Sequence, residues 1–311
     1  MLTRESRQLF SPMRHPLLVS ALLCALTGTV TVRAQQPFRF FASVVDANGA
    51  PVSGLTAGDF TVTENGLDGK VLNVEPIDWP VRVTILVDNG LGTSRLLTPV
   101  RSGLKGLLKA LPDGIEISLM TTAPQPRVIR RPMKDREALL EGVDRIAPDD
   151  GAAMFVQALV EEADRFYAEK GNYFPVVIAF GSTGPDGSSA RERDAQRMLT
   201  RFTQRAGTVH VVMLTSTTKS GRYTGGGANQ TSVAMAVTEA TGGRYDNIAA
   251  ESRIATVLPE IGEQVARSHA LQSRQYRITV QRPPRASGPF SGVVATRAGL
   301  NMVFSADGHI P

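Results

Sequence analysis

Apolar residues recur along this chain with two alternating periods. Val81 to Val87 is almost continuously apolar and stops at Asp88, after which Leu96, Leu97, Val100, Leu104, Leu107, Leu108 and Leu111 follow at helical spacing until Pro112. Ile115, Ile117 and Leu119 alternate as the next strand, and Arg127–Arg130 reads as a short edge strand. Leu139, Leu140, Val143 and Ile146 mark one helix, and Phe155, Leu159, Val160, Ala163 and Phe166 mark another. Phe174 to Phe180 is an uninterrupted apolar run, the pattern of a strand buried on both faces. Ala195, Met198, Leu199 and Phe202 line a further helix before a second such strand, Val209 to Leu214. A polar loop from Thr215 to Gln230 leads into an Ala-rich helix that Gly242 and Gly243 stop. Ile254, Val257, Leu258, Ile261 and Val265 form the last helix, with Pro259 inside it as a candidate kink. Strands alternating with helices in this way predict an α/β fold, a doubly wound, mainly parallel sheet with helices on both faces.

The flanks have a different texture. Phe41 to Val45 is β-rich, Asp46 to Gly49 is a turn, Phe60 to Glu64 alternates apolar with polar, and Asn65-Gly66 is a tight-turn pair before Val71 to Val74. Past the last helix, Tyr276, Ile278 and Val280 alternate with polar residues, and 292–296 and 302–304 read as further strands. The expected organisation is a leader over 1–34, a β-rich unit over 35–79, the α/β domain over 80–271, and a β segment over 272–311. Because domain termini tend to lie close together, that last segment is expected to pack with the N-terminal unit.

The leader sets the compartment. Arg4, Arg7 and Arg14 precede an apolar run from Leu17 to Val30, and Val32-Arg33-Ala34 is a small-x-small site, so 1–34 reads as an export signal. An uncleaved anchor is the alternative. The expected location is periplasmic or secreted, with no membrane contact once the signal is removed. Cys24 is the one cysteine and lies inside this leader. Its removal takes away disulfides, thiolate nucleophiles and Cys-based zinc sites together. Four arginines and one glutamate also go with the leader. Of the 34 basic and 29 acidic side chains, 30 and 28 remain, a net charge of +2. That balance gives no electrostatic case for nucleic acid or an anionic membrane, and 6% aromatic residues argue against base stacking.

In an open α/β sheet, ligands bind beyond the carboxyl ends of the strands. Two loops qualify: 87–94, carrying Asp88, Asn89, Thr93 and Ser94, and 180–186, carrying Ser182, Thr183 and Asp186. With Asp150 these residues make the expected interaction surface, joined by the long 215–230 loop. Gly90-x-Gly92-x-x-Arg95 lacks the third glycine of a dinucleotide fingerprint, Ser182 lacks the glycine two residues before it that a nucleophile elbow needs, and 225–227 lacks a phosphate-loop lysine. His210, His269 and His309 are scattered, and His210 reads as a satisfied core residue. Asp88 reads either as a cation ligand or as an acceptor for backbone N–H groups opening the following helix.

These landmarks resemble a von Willebrand factor type A domain of the secreted bacterial VWFA-related branch. "VVDANGAPVSGLTAGDFTVTENG" is similar to the strand-rich lead-in of that branch, "VTILVDNG" to its first strand, "DDGAAMFVQAL" to a loop and helix opening, "FPVVIAFGSTG" to its fourth strand, and "QYRITVQRP" to its closing β segment. The resemblance implies adhesion or scaffolding and a metal-ion-dependent adhesion site built from Asp-x-Ser-x-Ser, a Thr and a second Asp. Carried over residue by residue, the first Asp is Asp88, both serines fall on Gly90 and Gly92, the Thr falls on Ala153 or Ala152, and the second Asp falls on Gly181. With one ligand of the set kept, the expectation is a non-enzymatic module that binds another protein without a cofactor. The alternative is a Mg²⁺-dependent binder in which Asp88 recruits Ser94, Ser182, Thr183 or Asp186. A third reading, an envelope hydrolase, lacks a visible acid–base or nucleophile–base set.

Overall fold

The computed structural model describes residues 37–216, 229–284, 286 and 292–305. The leader and most of the 215–230 loop lie outside the described residues. In chain order the elements are β1 (Phe38–Val45), β2 (Phe60–Glu64), β3 (Leu67–Ile77), β4 (Val81–Val87), α1 (Leu97–Ala110), β5 (Glu116–Thr121), β6 (Arg127–Met133), α2 (Arg136–Asp144) and α3 (Phe155–Ala168). There follow β7 (Phe174–Ser182), α4 (Glu192–Gln204), β8 (Thr208–Leu214), α5 (Gln230–Ala240), β9 (Tyr245–Ile248), α6 (Ile254–Gln272), β10 (Gln275–Gln281), β11 (Val293–Thr296) and β12 (Asn301–Ser305). Among the described residues no helix is long and apolar enough to cross a membrane.

Local chemistry sets several boundaries. Asp135 accepts the Ala138 N–H at 3.0 Å and opens α2, and Asn229 accepts the Ser232 N–H at 3.0 Å and opens α5. Asn65 and Gly66 take φ of 53° and 75°, the two left-handed residues of the turn that returns β2 into β3. α6 runs as a single helix with Pro259 inside it. There Pro259 packs on α1 opposite Gly106, where an added Cβ would come within 2.6 Å of the proline ring. The edge strand β6 extends through Pro132, a residue an edge tolerates because its missing N–H faces no partner.

The strands form two six-stranded sheets. One has the order β6-β5-β4-β7-β8-β9, with β4 parallel to both β5 and β7, β8 parallel to β7 and β9, and β6 antiparallel at the edge. This is an α/β fold on a parallel-strand sheet. Alternate residues of its strands face opposite layers. Val83, Ile85 and Val87 of β4 and Ile178 and Phe180 of β7 pack with α1, α2 and α6. Leu86, Val177 and Ala179 pack with α3, α4 and α5. The continuous apolar runs follow from this, since both faces of each strand are covered.

The second sheet has the order β11-β2-β3-β10-β1-β12, and its described pairings are antiparallel. Strands from both ends of the chain thus share one hydrophobic core, which includes Phe40, Val44, Phe60, Val62, Tyr276, Ile278 and Val280. Tyr276 donates its hydroxyl to the Val52 carbonyl at 2.9 Å. Glu64, 1% exposed, is paired with Arg282, whose Nε lies 2.8 Å from Oε2. Removing one member of that pair would leave a buried charge alone.

Candidate functional site

Asp88 leaves β4 at the carboxyl edge of the parallel sheet, beside the end of β7, and its N–H donates to the Phe180 carbonyl at 2.9 Å. The side chain is 1% exposed. Oδ1 accepts the Gly90 N–H at 2.8 Å, and Oδ2 accepts the Ser182 hydroxyl at 2.8 Å. The Thr93 hydroxyl lies 2.7 Å from the Asp88 backbone carbonyl and 3.1 Å from Oδ1. Asp88 therefore ties its own loop to β7. It does not accept N–H groups from α1, so the helix-opening role read from the sequence is replaced by a turn within 88–93.

The neighbouring loops are held by similar means. Asn89 donates Nδ2–H to the Ala147 carbonyl at 2.9 Å and accepts the Ala123 N–H at 3.1 Å, joining three loops. Thr183 accepts the Ser216 N–H at 2.9 Å. Asp186 Oδ1 accepts the Phe155 N–H at 3.2 Å and, from Ser188, the N–H at 3.0 Å and the hydroxyl at 2.7 Å. The Ser188 Oγ in turn accepts the Gln157 N–H at 3.0 Å. Together Asp186 and Ser188 cap α3 from another loop, where its own preceding residue Met154 has no side chain to do so. Ser188 was not singled out in the sequence. Its Asp-x-Ser context is a capping signal, but for a helix far away in the chain. Asp186→Ala is expected to cost about 1–2 kcal/mol of stability, measurable by urea denaturation.

Burial separates the eight residues expected to form the interaction surface. Asp88, Asn89, Thr93 and Ser182 are all buried, their polar atoms engaged with each other or with backbone, so they hold the loops and do not form the face. Ser94, Thr183 and Asp186 are half-buried, and Asp150 is exposed. Ser94 and Asp150 line a cleft of about 600 Å³ with Leu91, Gly92, Arg95 and Ser216. Of the 215–230 loop, residues 217–228 lie outside the described residues.

The positions carried over for the adhesion site do not supply its set of oxygen ligands. Mg²⁺ takes about six oxygens in an octahedron. Both Asp88 carboxylate oxygens already accept hydrogen bonds from the protein. An added Cβ at Gly92 would lie 2.1 Å from the Ser182 Oγ, and one at Gly90 would lie 2.6 Å from the Gly151 carbonyl and 2.9 Å from the Ala123 Cβ. The space where two serines would stand is filled by the fold itself. Gly181, the position carried over for the second Asp, would aim a side chain at Phe155, with its Cβ 2.8 Å from the ring. Ser182 is the residue of that strand that reaches Asp88, one position further on. Among the described residues no group of three or more His, Cys, Asp or Glu is gathered.

Burial pushes the Asp88 carboxyl above its ordinary range against the pull of its hydrogen bonds to Gly90, Ser182 and Thr93, and the Asp186 carboxylate adds to the rise. Burial likewise raises Asp186, opposed by the hydrogen bonds from Ser188, Phe155 and Val156.

No protein-family model and no curated protein sequence matches the chain. Solved structures do. A von Willebrand factor type A protein from Catenulispora acidiphila is 14% identical, with 87% of this chain and 73% of that one covered and a TM-score of 0.50. BatB from Bacteroides thetaiotaomicron is 14% identical over 60% of this chain and 100% of its own, with a TM-score of 0.43. The manganese-loaded TRAP protein of Plasmodium vivax is 14% identical over 71% of this chain and 95% of its own, with a TM-score of 0.44. The chain has a von Willebrand A-like fold.

Proposed function

We propose that this chain is an exported, non-catalytic protein-binding module whose doubly wound domain meets its partner at the carboxyl edge of the parallel sheet, without a cation. Its adhesion site is degenerate: one carboxylate is kept and the remaining seats are closed. The observation that supports this reading is the 2.1 Å that would separate a Cβ at residue 92 from the Ser182 Oγ, because a serine there would have to displace the hydroxyl that holds Asp88. Recognition then falls to shape and hydrogen bonding through Ser94, Arg95, Asp150 and Thr183. The partner is another protein, with no nucleic acid implied by a near-balanced charge. The leader supports export, and the β units of 35–79 and 272–311 frame the α/β domain of 80–271.

One observation favours a second reading, a cation-dependent binder with rearranged ligands: the Asp186 Oδ2 is buried without a hydrogen-bond partner. Thermal melting with millimolar Mg²⁺ or Mn²⁺ separates the two, since an ion bound only by the folded chain raises the midpoint. An unchanged midpoint is expected, and a rise that Asp88→Asn abolishes would establish the second reading instead. The interaction reading is tested by affinity capture from the producing cell with and without a chelator. Capture is expected to persist in chelator and to fall in an Asp150→Arg, Ser94→Trp variant of unchanged melting. Capture by that variant at the wild-type level would exclude this edge as the binding face.

A further inference from the structure

At the opposite edge of the same sheet, by the amino ends of β4, β7 and β8, lies a cavity of about 370 Å³ beneath the last turns of α6. Its polar lining includes His210, Gln264, Arg267, Ser268 and Gln272, and none of its described lining residues is acidic. Gln272 is 4% exposed, yet among the described residues its side-chain amide has no hydrogen-bond partner. The same holds for the side chains of Gln264 and Ser268. The Gln272 amide opens onto the cavity, where water or a ligand completes it.

The carbonyls that end α6 are not the unmet groups. The His269 carbonyl accepts the Ser273 N–H at 3.0 Å, the Leu271 carbonyl the Arg274 N–H at 3.3 Å and the Ser43 hydroxyl at 3.4 Å, and the Gln272 carbonyl the Gln275 Nε2–H at 3.1 Å. What α6 offers the cavity is side-chain donors. Arg267 is the one charged side chain among the described lining residues, and its ion pair with Glu263 is long, 4.0 Å between exposed side chains. The Nδ1 of His210 is occupied by the Arg244 N–H at 3.1 Å. Val81, Val176, Val265 and Leu271 supply apolar parts of the lining.

We propose that this cavity binds a small organic carboxylate with a short apolar body, its oxygens held by Gln272, Ser268, Gln264 and Arg267 and its carbons against the valines and Leu271. Donors with a single long ion pair among them, and no acidic residue in the described lining, select an acceptor-rich, negatively charged head, and the volume is that of a metabolite-sized site. The inference stands apart from the protein-binding reading, because the cavity and Asp88 lie at opposite ends of β4.

Differential scanning fluorimetry of the full chain with about 20 mM isovalerate or benzoate, against isovaleramide as the neutral isostere, tests it. At roughly ten times a millimolar Kd, a ligand confined to the folded state raises the midpoint by several degrees. A rise with a carboxylate but not with the amide, lost in Gln272→Leu, is the expected result. Should that variant not fold, Ser268→Leu at a half-buried position of α6 carries the same test. No shift with either carboxylate, an equal shift with isovaleramide, or a shift that survives in the variant overturns the proposal. Capture of a protein partner at the other edge is unaffected by any of these outcomes, so the two readings fail separately.

Discussion

Writing the two serines back into the loop, as Gly90→Ser with Gly92→Ser, is expected to cost this chain a large share of its stability without giving it a cation site. A side chain at 92 must displace the Ser182 Oγ, which lies 2.1 Å from where its Cβ would be and also holds the Asp88 Oδ2. A side chain at 90 meets backbone on two sides, the Gly151 carbonyl at 2.6 Å and the Ala153 N at 3.0 Å, and neither can move without shifting the loop before α3. Overpacking costs about 1–3 kcal/mol at a single site, and more where backbone is the obstacle. The two positions share neighbours, so their costs couple, and a combined loss of about 4 kcal/mol or more is expected. Against a total of roughly 5–15 kcal/mol this moves the urea midpoint far to the left. Added Mg²⁺ should not restore it. A double variant of wild-type stability that melts higher in Mg²⁺ would falsify the closed-site reading outright.

The contrast between fold and site shows what a single chain discloses. Val81–Val87 and Phe174–Phe180 could be read as buried strands because covering both faces of a strand leaves a mark at every position. The leucines of α1 could be read because one face of a helix repeats its demand every three to four residues. Asp88 stood out as the polar end of an apolar strand. What surrounds it did not, since the Ser182 hydroxyl and the space at residue 92 come from a segment about ninety residues away, brought near by the β4–β7 pairing. A one-residue shift decides which side chain of β7 faces Asp88, and alternation along a strand makes that shift total: Gly181 faces Phe155 and Ser182 faces Asp88. Burial was equally hidden. Asn89 and Thr93 have the composition of a recognition loop, yet their polar atoms are consumed in holding that loop in place. Polar residues beyond a strand end mark a site only when something other than the protein must satisfy them.

Asp88→Ala is expected to cost about 2–4 kcal/mol, because it strips the acceptor from the Gly90 N–H and the Ser182 hydroxyl inside a buried space. Asp88→Asn should cost about 1 kcal/mol or less, since it keeps an oxygen toward Gly90 and sets an amide where the Ser182 oxygen can accept. The pair also separates geometry from charge. In the folded chain the Asp88 carboxyl titrates above its ordinary value, chiefly through burial, and Asp186 is raised as well. From the ordinary carboxylate value up to these raised ones, the two groups bind more protons in the folded chain than in the unfolded one, so the stability they contribute falls as pH rises through that window. The lowered carboxyls of Asp59, Glu169, Asp194 and Glu260 contribute in the opposite sense. Asp88→Asn removes its share of that fall and leaves that of Asp186. Its melting midpoint plotted against pH, from about 4 upward, should therefore be flatter than the wild-type curve without becoming level. A wild-type midpoint that climbs with pH over the same range, and an Asn variant that abolishes the climb, would mean that the charged form of Asp88 is the one the fold stabilises. That outcome would mean either that the hydrogen bonds from Gly90, Thr93 and Ser182 outweigh burial or that a cation joins them, and repeating the pH series with added Mg²⁺ separates the two.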